Sequence, residues 1–297
     1  MSTVGTTTTT GGGPAAPRPQ RGSGPASGRP GARPRGRLAT LVRDTSIVLV
    51  RELRPLLHDP FSVVFGLVQP LVFLALFGPL LVGTLSGQDG GATGTLGGSV
   101  WQWFVPSILV MTTLFGTSTT GANLQQELNT GAHERMLVSP LSRPSLLVGR
   151  ALKEMVPIAA QSVVVVLVML PFGFELFPVG AVLGLAMLAI FGVGVGSLSY
   201  ALALAVRKQE WMFWLVQQTL LFPLMILSGM LLPLETGPSW MRAAAHLNPL
   251  TYLVDAERSL FAGDLTSPAA AWGWVAAVVT AAVGLAVGIR TMVRSTD

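Results

Sequence analysis

Six long runs of apolar, almost uncharged residues recur along the 297-residue chain, at about 61–84, 101–124, 154–174, 178–206, 211–232 and 269–289. A helix rises ~1.5 Å per residue, so about 20 residues cover the ~30 Å hydrocarbon core of a bilayer. The pattern predicts an all-α membrane protein with six transmembrane helices. Pro70 falls mid-way along the first run and is expected to kink it. Gly180 and Gly184, Gly192 and Gly196, and Gly284 and Gly288 repeat at the four-residue spacing of close helix crossings in lipid. The inner half of the second run, 112–123, is rich in Gly, Ser and Thr. Helix packing is the simplest use for it, and lining a substrate path is the alternative.

The segments between the runs carry different patterns. In 38–58, Leu38, Leu41, Val42, Thr45, Val48, Leu49, Leu53 and Leu56 recur at three- and four-residue steps, with Arg43, Asp44, Arg51 and Arg54 mainly between them. This predicts an amphipathic helix at the membrane interface, broken by Pro55 and Pro60 before the first span. Residues 233–268 interleave apolar residues with charges, which fits two short amphipathic helices forming an outer, re-entrant pair before the last span. Residues 1–37 are Thr and Gly runs followed by Pro, Arg and Ser, too poor in apolar residues to fold, so a disordered cytoplasmic tail is expected.

Charge gives the runs a direction. Of the 19 Lys and Arg residues, nine precede Asp59 and four lie in 125–153, while Arg207 and Lys208 form a short loop and Arg290 and Arg294 follow the last run. Only Arg242 and Arg258 fall on the opposite side. Basic residues concentrate on the cytoplasmic side, so both termini of a multi-pass membrane protein are expected there. The seven tryptophans sit near the span boundaries or in the outer amphipathic segment, and Trp101 and Trp103 are expected to anchor the second span in the headgroup region. With half the residues hydrophobic and 11% charged, the chain is far from the ~25% charge of soluble domains. The net charge of +5 belongs to these basic flanks, with no base-reading module beside it, so no nucleic-acid partner is expected. There is no cysteine, which excludes disulfides and thiolate chemistry, and the N-terminus lacks the apolar stretch and cleavage site of a signal peptide.

No catalytic constellation emerges. The GxxxxGK[ST] phosphate loop, GxSxG and HExxH are absent, and His58, His133 and His246 lie far apart, away from any acidic cluster. No enzymatic activity, bound cofactor or metal site is expected. No acidic or basic residue lies deep in a predicted span, which argues against a proton relay and for energy supplied from elsewhere. The longest polar gap, 125–153, holds a short segment punctuated by Thr130-Gly131 and Pro140 and carrying Glu134 and Arg135. A small helix under the bilayer, bounded by breakers, is a natural docking surface for a soluble partner.

That gap resembles the signature of the ABC-2 type exporter permeases. The matching residues are Gly131, Glu134, Leu137, Val138, Ser139, Pro140, Leu141, Ser142, Arg143, Leu146, Leu147 and Gly149, with Glu127 at an upstream acidic position. LNPLTYLVDAERSLF (247–261) is similar to the family's Asn-Pro-Leu-Thr-Tyr run before the last span, and LVRELRPLLHDP (49–60) to its lead-in helix. The resemblance covers about 40–290 and is closest to the daunorubicin-resistance (DrrB-like) permeases. It implies an ABC-2 transmembrane domain over 38–297, working as a twelve-helix homodimer, each protomer paired with a separate ABC ATP-binding subunit that holds ATP and Mg. Glu127, Gly131, Glu134, Arg135, Leu137, Pro140, Leu141, Ser142 and Arg143 would form or flank the coupling helix docked on that ATPase. Asn248, Pro249, Tyr252 and Arg258 would belong to an extracellular gate.

The resulting expectation is a permease exporting a hydrophobic drug, natural product or lipid, since no substrate-binding domain of the importing kind is present. An exporter of lipid-linked polysaccharide ranks lower, because aromatics make up only 7% and the tryptophans sit at boundaries. A membrane scaffold or sensor that transports nothing is the alternative from another class.

Overall fold

The structure, a computed structural model, describes residues 45–46, 48–50, 60–86, 100–129, 148–150, 152–153, 155–207, 209–234 and 237–294. Among them every regular element is helical. The helices are α1 (Pro60–Ser86), α2 (Val100–Asn129), α3 (Met155–Met169, continued by a 3₁₀ turn at Leu170–Phe172), α4 (Pro178–Ala205), α5 (Glu210–Leu227), α6 (Ser239–Ala245), α7 (Pro249–Phe261) and α8 (Pro268–Arg294). Six are long and apolar enough to cross a membrane: α1, α2, the helix through α3, α4, α5 and α8. The expected tail, most of the lead-in helix, and residues 130–147 lie outside the described residues.

Helix ends follow local chemistry. Proline opens α1, α4, α7 and α8, where its missing N–H would have no helical partner anyway. The helix α1 continues through both Pro70 and Pro79. The helix α5 stops at Leu227, short of the expected Leu232, because Gly229 adopts φ 70° and turns the chain. The helices α2 and α8 run past the expected Leu124 and Ile289 to Asn129 and Arg294, since polar residues extend a helix beyond lipid without losing its internal bonds.

The centre of the bundle is α2, with 78% of its apolar window buried against 44% or less in the other five spans. Its Phe104, Ile108 and Leu109 pack with Met187 and Phe191 of α4 and Leu253 and Phe261 of α7. A second cluster at the far end of α2 joins Leu124, Tyr200, Phe213 and Met292 to Val48 of the lead-in segment.

The glycine pairs mark crossings, though the partners differ from span to span. Gly180 and Gly184 lie against Leu260 and Glu257 of α7, while Gly192 and Gly196 face Thr117 and Thr120 of α2. Gly284 sits on the backbone of Gly194, and a Cβ on Gly194 would lie 2.6 Å from the Thr280 carbonyl, so α4 and α8 touch backbone to backbone. The outer faces of α1 and α5 (Val72, Leu76, Leu80, Leu215, Leu220 and Ile226 among them) are exposed and apolar, as surfaces meant for lipid or another helix.

Candidate functional site

Two polar junctions stand at opposite ends of α2. One is built around the 248–258 motif. Asn248 caps α7 by accepting from Leu250 N at 3.1 Å, and its Nδ2 donates to Leu224 O at 2.7 Å. Thr251 Oγ1 donates to Ala245 O at 2.9 Å and Leu227 O at 3.3 Å. Leu224 and Leu227 are among the last carbonyls of α5, which have no helical partner. Asn248 and Thr251 therefore finish α5 while starting α7. Tyr252 Oη donates to His246 O at 2.9 Å, and its ring lies 6.2 Å from that of Trp272.

Arg258 locks this unit to α2. Its Nη2 donates to Ser107 Oγ and Gly229 O, both at 2.9 Å, and its Nε to Trp103 O at 3.2 Å. The guanidinium lies 3.9 Å over the Trp103 ring, with Asp255 3.6 Å away. Trp103 is only 8% exposed. Contrary to the expected headgroup anchor, it faces into the bundle as the platform for Arg258, whose cation is attracted by the ring's negative face. Gln102 adds a second tie, donating to Phe261 O at 2.6 Å and Glu175 O at 3.0 Å and accepting from Glu175 N at 3.1 Å.

Glu257 is the feature missed by sequence reasoning. It is fully buried against Gly184, and neither carboxylate oxygen has a hydrogen-bond partner among the described residues. Burial alone pushes its carboxyl well above the usual carboxylate range, so it is held neutral. A signal existed: Leu250, Leu253, Val254, Glu257, Leu260 and Phe261 share one helical stripe, and all are buried.

The other junction joins the C-terminal end of α2 to the helical residues before α3. Glu127 pairs with Arg150, whose guanidinium also lies 5.7 Å over the Tyr200 ring. Arg150 is 5% exposed. Gln125 Nε2 donates to Ala203 O at 3.0 Å, and Gly149 packs on Val48. Of the expected docking residues, Glu127 is thus placed in an ion pair with a partner the sequence did not suggest. Gly131, Glu134, Arg135, Leu137, Pro140, Leu141, Ser142 and Arg143 lie outside the described residues.

Between the junctions, the Ser/Thr-rich half of α2 serves packing. Thr113 and Thr117 bond carbonyls of their own helix, and Ser199 of α4 donates to Ser118 O at 2.7 Å and accepts from Gly121 N at 3.2 Å. Thr112 and Thr119 also bond carbonyls of their own helix, Ile108 O and Gly116 O, while lining a cleft toward α1 and α3.

With six apolar helices and these junctions in place, comparison with known proteins is decisive. Residues 43–262 match the ABC-2 type transporter family. The chain belongs to that family. As an ABC-2 protein with several apolar helices it is a multi-pass membrane permease. It is 27% identical over 230 residues to the daunorubicin resistance ABC transporter permease protein DrrB1 of Streptomyces coeruleorubidus, covering 76% of this chain and 77% of that one. It is 28% identical over 222 residues to the putative transport permease ycf38 of Cyanophora paradoxa, covering 74% of each. It is 27% identical over 197 residues to the probable multidrug ABC transporter permease YbhR of Escherichia coli K12, covering 63% of this chain and 51% of that one. These ABC-2 relatives are all named as permeases.

Proposed function

We propose that this ABC-2 permease is the membrane subunit of an ATP-driven exporter that moves a hydrophobic drug, natural product or lipid out of a bacterial cell. The observation that carries the reading is the family match over 43–262, which spans five of the six apolar helices and both polar junctions. The names of the relatives, one for daunorubicin resistance and one for multidrug transport, favour efflux. A separate ABC ATP-binding subunit holds ATP and Mg and docks on 131–143, on the cytoplasmic side with both termini, in the plasma membrane. Two copies of the permease form the working unit, with substrate passing along their interface. Closure of the ATPases reaches the bundle as a rigid-body shift, delivered through the Glu127–Arg150 pair. The outer junction, with Asn248, Pro249, Tyr252 and Arg258, closes the extracellular exit.

The test is a permease with Glu134→Ala and Arg135→Ala, purified with its ATP-binding subunit and reconstituted. Insertion and folding are expected to persist while ATP-driven transport falls at least tenfold. Unchanged transport would remove the coupling role.

A further inference from the structure

We propose that Glu257 is a proton-operated latch: with its carboxyl protonated, α7 stays seated on the glycines of α4, and with the proton gone α7 lifts away. The latch stands apart from the exporter reading above, and only its bearing on transport rests on that reading. The seat leaves no spare room. A Cβ on Gly180 would overlap the carbonyl oxygen of Leu260, and one on Gly184 would overlap the Glu257 carboxyl. Glu257 is 0% exposed, and neither of its oxygens has a hydrogen-bond partner among the described residues. A neutral carboxyl can be held in such a place at moderate cost, whereas a bare charge without a partner cannot.

The surroundings offer that charge nothing. The helices packed on α7 are α2, α4, α5 and α8. Up to Gln126 in α2, Ser199 in α4 and Ile289 in α8, and beyond Glu210 in α5, they contain no ionisable side chain. On α7 itself, Tyr252 bonds His246 O, and Arg258 directs its guanidinium to Trp103, Ser107 and Gly229, with Asp255 beside it. Glu175 and Asp264, in the adjoining turns, are exposed. Burial raises the Glu257 carboxyl above the usual range, so the latch is closed at low pH and opens as pH rises through that raised value. The chain also holds the means of movement. The stretch carrying α6 and α7 is bounded by Gly229 (φ 70°) and Gly263 (φ 84°), left-handed turns that glycine adopts without strain. Residues at element ends absorb the backbone rotation of a moving segment. In the exporter, α7 belongs to the junction assigned to the exit, so an open latch leaves that exit unsealed.

The experiment follows backbone hydrogen–deuterium exchange of the full chain in lipid nanodiscs, without nucleotide or substrate, from about pH 6 to about pH 9.5. Rates are corrected for the base catalysis of exchange itself. Peptides covering 249–261 are expected to lose protection at least fivefold toward alkaline pH, while those of 104–124 and 281–294 hold theirs. Glu257→Gln is expected to abolish this pH dependence. Glu257→Leu, close in size and equally unable to ionise, is expected to do the same and covers the case in which the buried amide folds poorly. Equal pH profiles for the parent and the variants, or a loss of protection spread evenly over all helices, would overturn the latch. Since exchange needs no ATP, a protein that exchanges as expected yet transports nothing with its ATP-binding subunit would count against the exporter reading and leave the latch standing.

Discussion

Arg258 shows how much one side chain can hold in a low-dielectric setting. It donates to three oxygens, on α2 and on the turn after α5, and stacks on Trp103. Removing it leaves those acceptors facing a buried hole, so Arg258→Ala is expected to cost about 2 kcal/mol or more, read as a lower melting temperature in detergent. Arg258→Lys should recover only part of this, because a lysine lacks the planar fork that makes the three bonds and the stacking together. Glu257, next in the chain, makes a pH prediction. Its folded pKa is raised, so the folded state holds a proton that the unfolded chain gives up above about pH 4. Stability from this group is fully present below that pH and is lost as pH rises toward the raised folded pKa. Glu257→Gln, which cannot ionise, is expected to flatten that loss and melt higher than the parent at alkaline pH. A parallel pH profile for both proteins would refute the neutral-carboxyl assignment.

At the scale of elements, the α4–α8 crossing depends on the absence of side chains. Gly284→Leu would drive a side chain into the Gly194 backbone, which cannot move aside as a flexible side chain could. A loss of at least about 2 kcal/mol is expected, with less folded protein recovered by size exclusion. The same change at Gly83, which has nothing within 4 Å among the described residues, should be tolerated and serves as the control. Four-residue glycine spacing was readable in the sequence, and so was the fact that it meant close approach. Which helix approaches was not. Gly180 and Gly184 sit against the short α7 and not against another span, because only the three-dimensional arrangement brings residues about 75 positions apart into contact. The 248–252 motif is similar. Its capping of α7 follows from Asn before Pro, whereas its second task, finishing α5, needs the end of α5 beside it.

For the whole molecule, the Glu127–Arg150 pair matters most. It ties the end of α2 to the beginning of the next described helical stretch. Both side chains are substantially buried, and a buried charge left alone is costly. Glu127→Gln or Arg150→Gln singly is expected to cost about 2 kcal/mol and to reduce ATP-driven transport. The double substitution should lose less than the sum of the two, measured as a double-mutant cycle of melting in detergent. Additive losses would show that the pair does not act as a unit.

The six spans, the two short helices before the last span and the family were determined by the sequence alone. Hydropathy and charge placement are local properties, and in a bilayer an apolar run of this length has no alternative to a helix that satisfies its own backbone. Tertiary structure alone decided where polar groups meet. Burial of Glu257, the seat of Arg258 on Trp103, the pairing of Glu127 with Arg150 and the cleft holding Gln69 and Asn123 all join positions distant in the chain. Such contacts depend on helix rotation and crossing, set by many weak packing terms summed over the bundle, and no short stretch of residues encodes them.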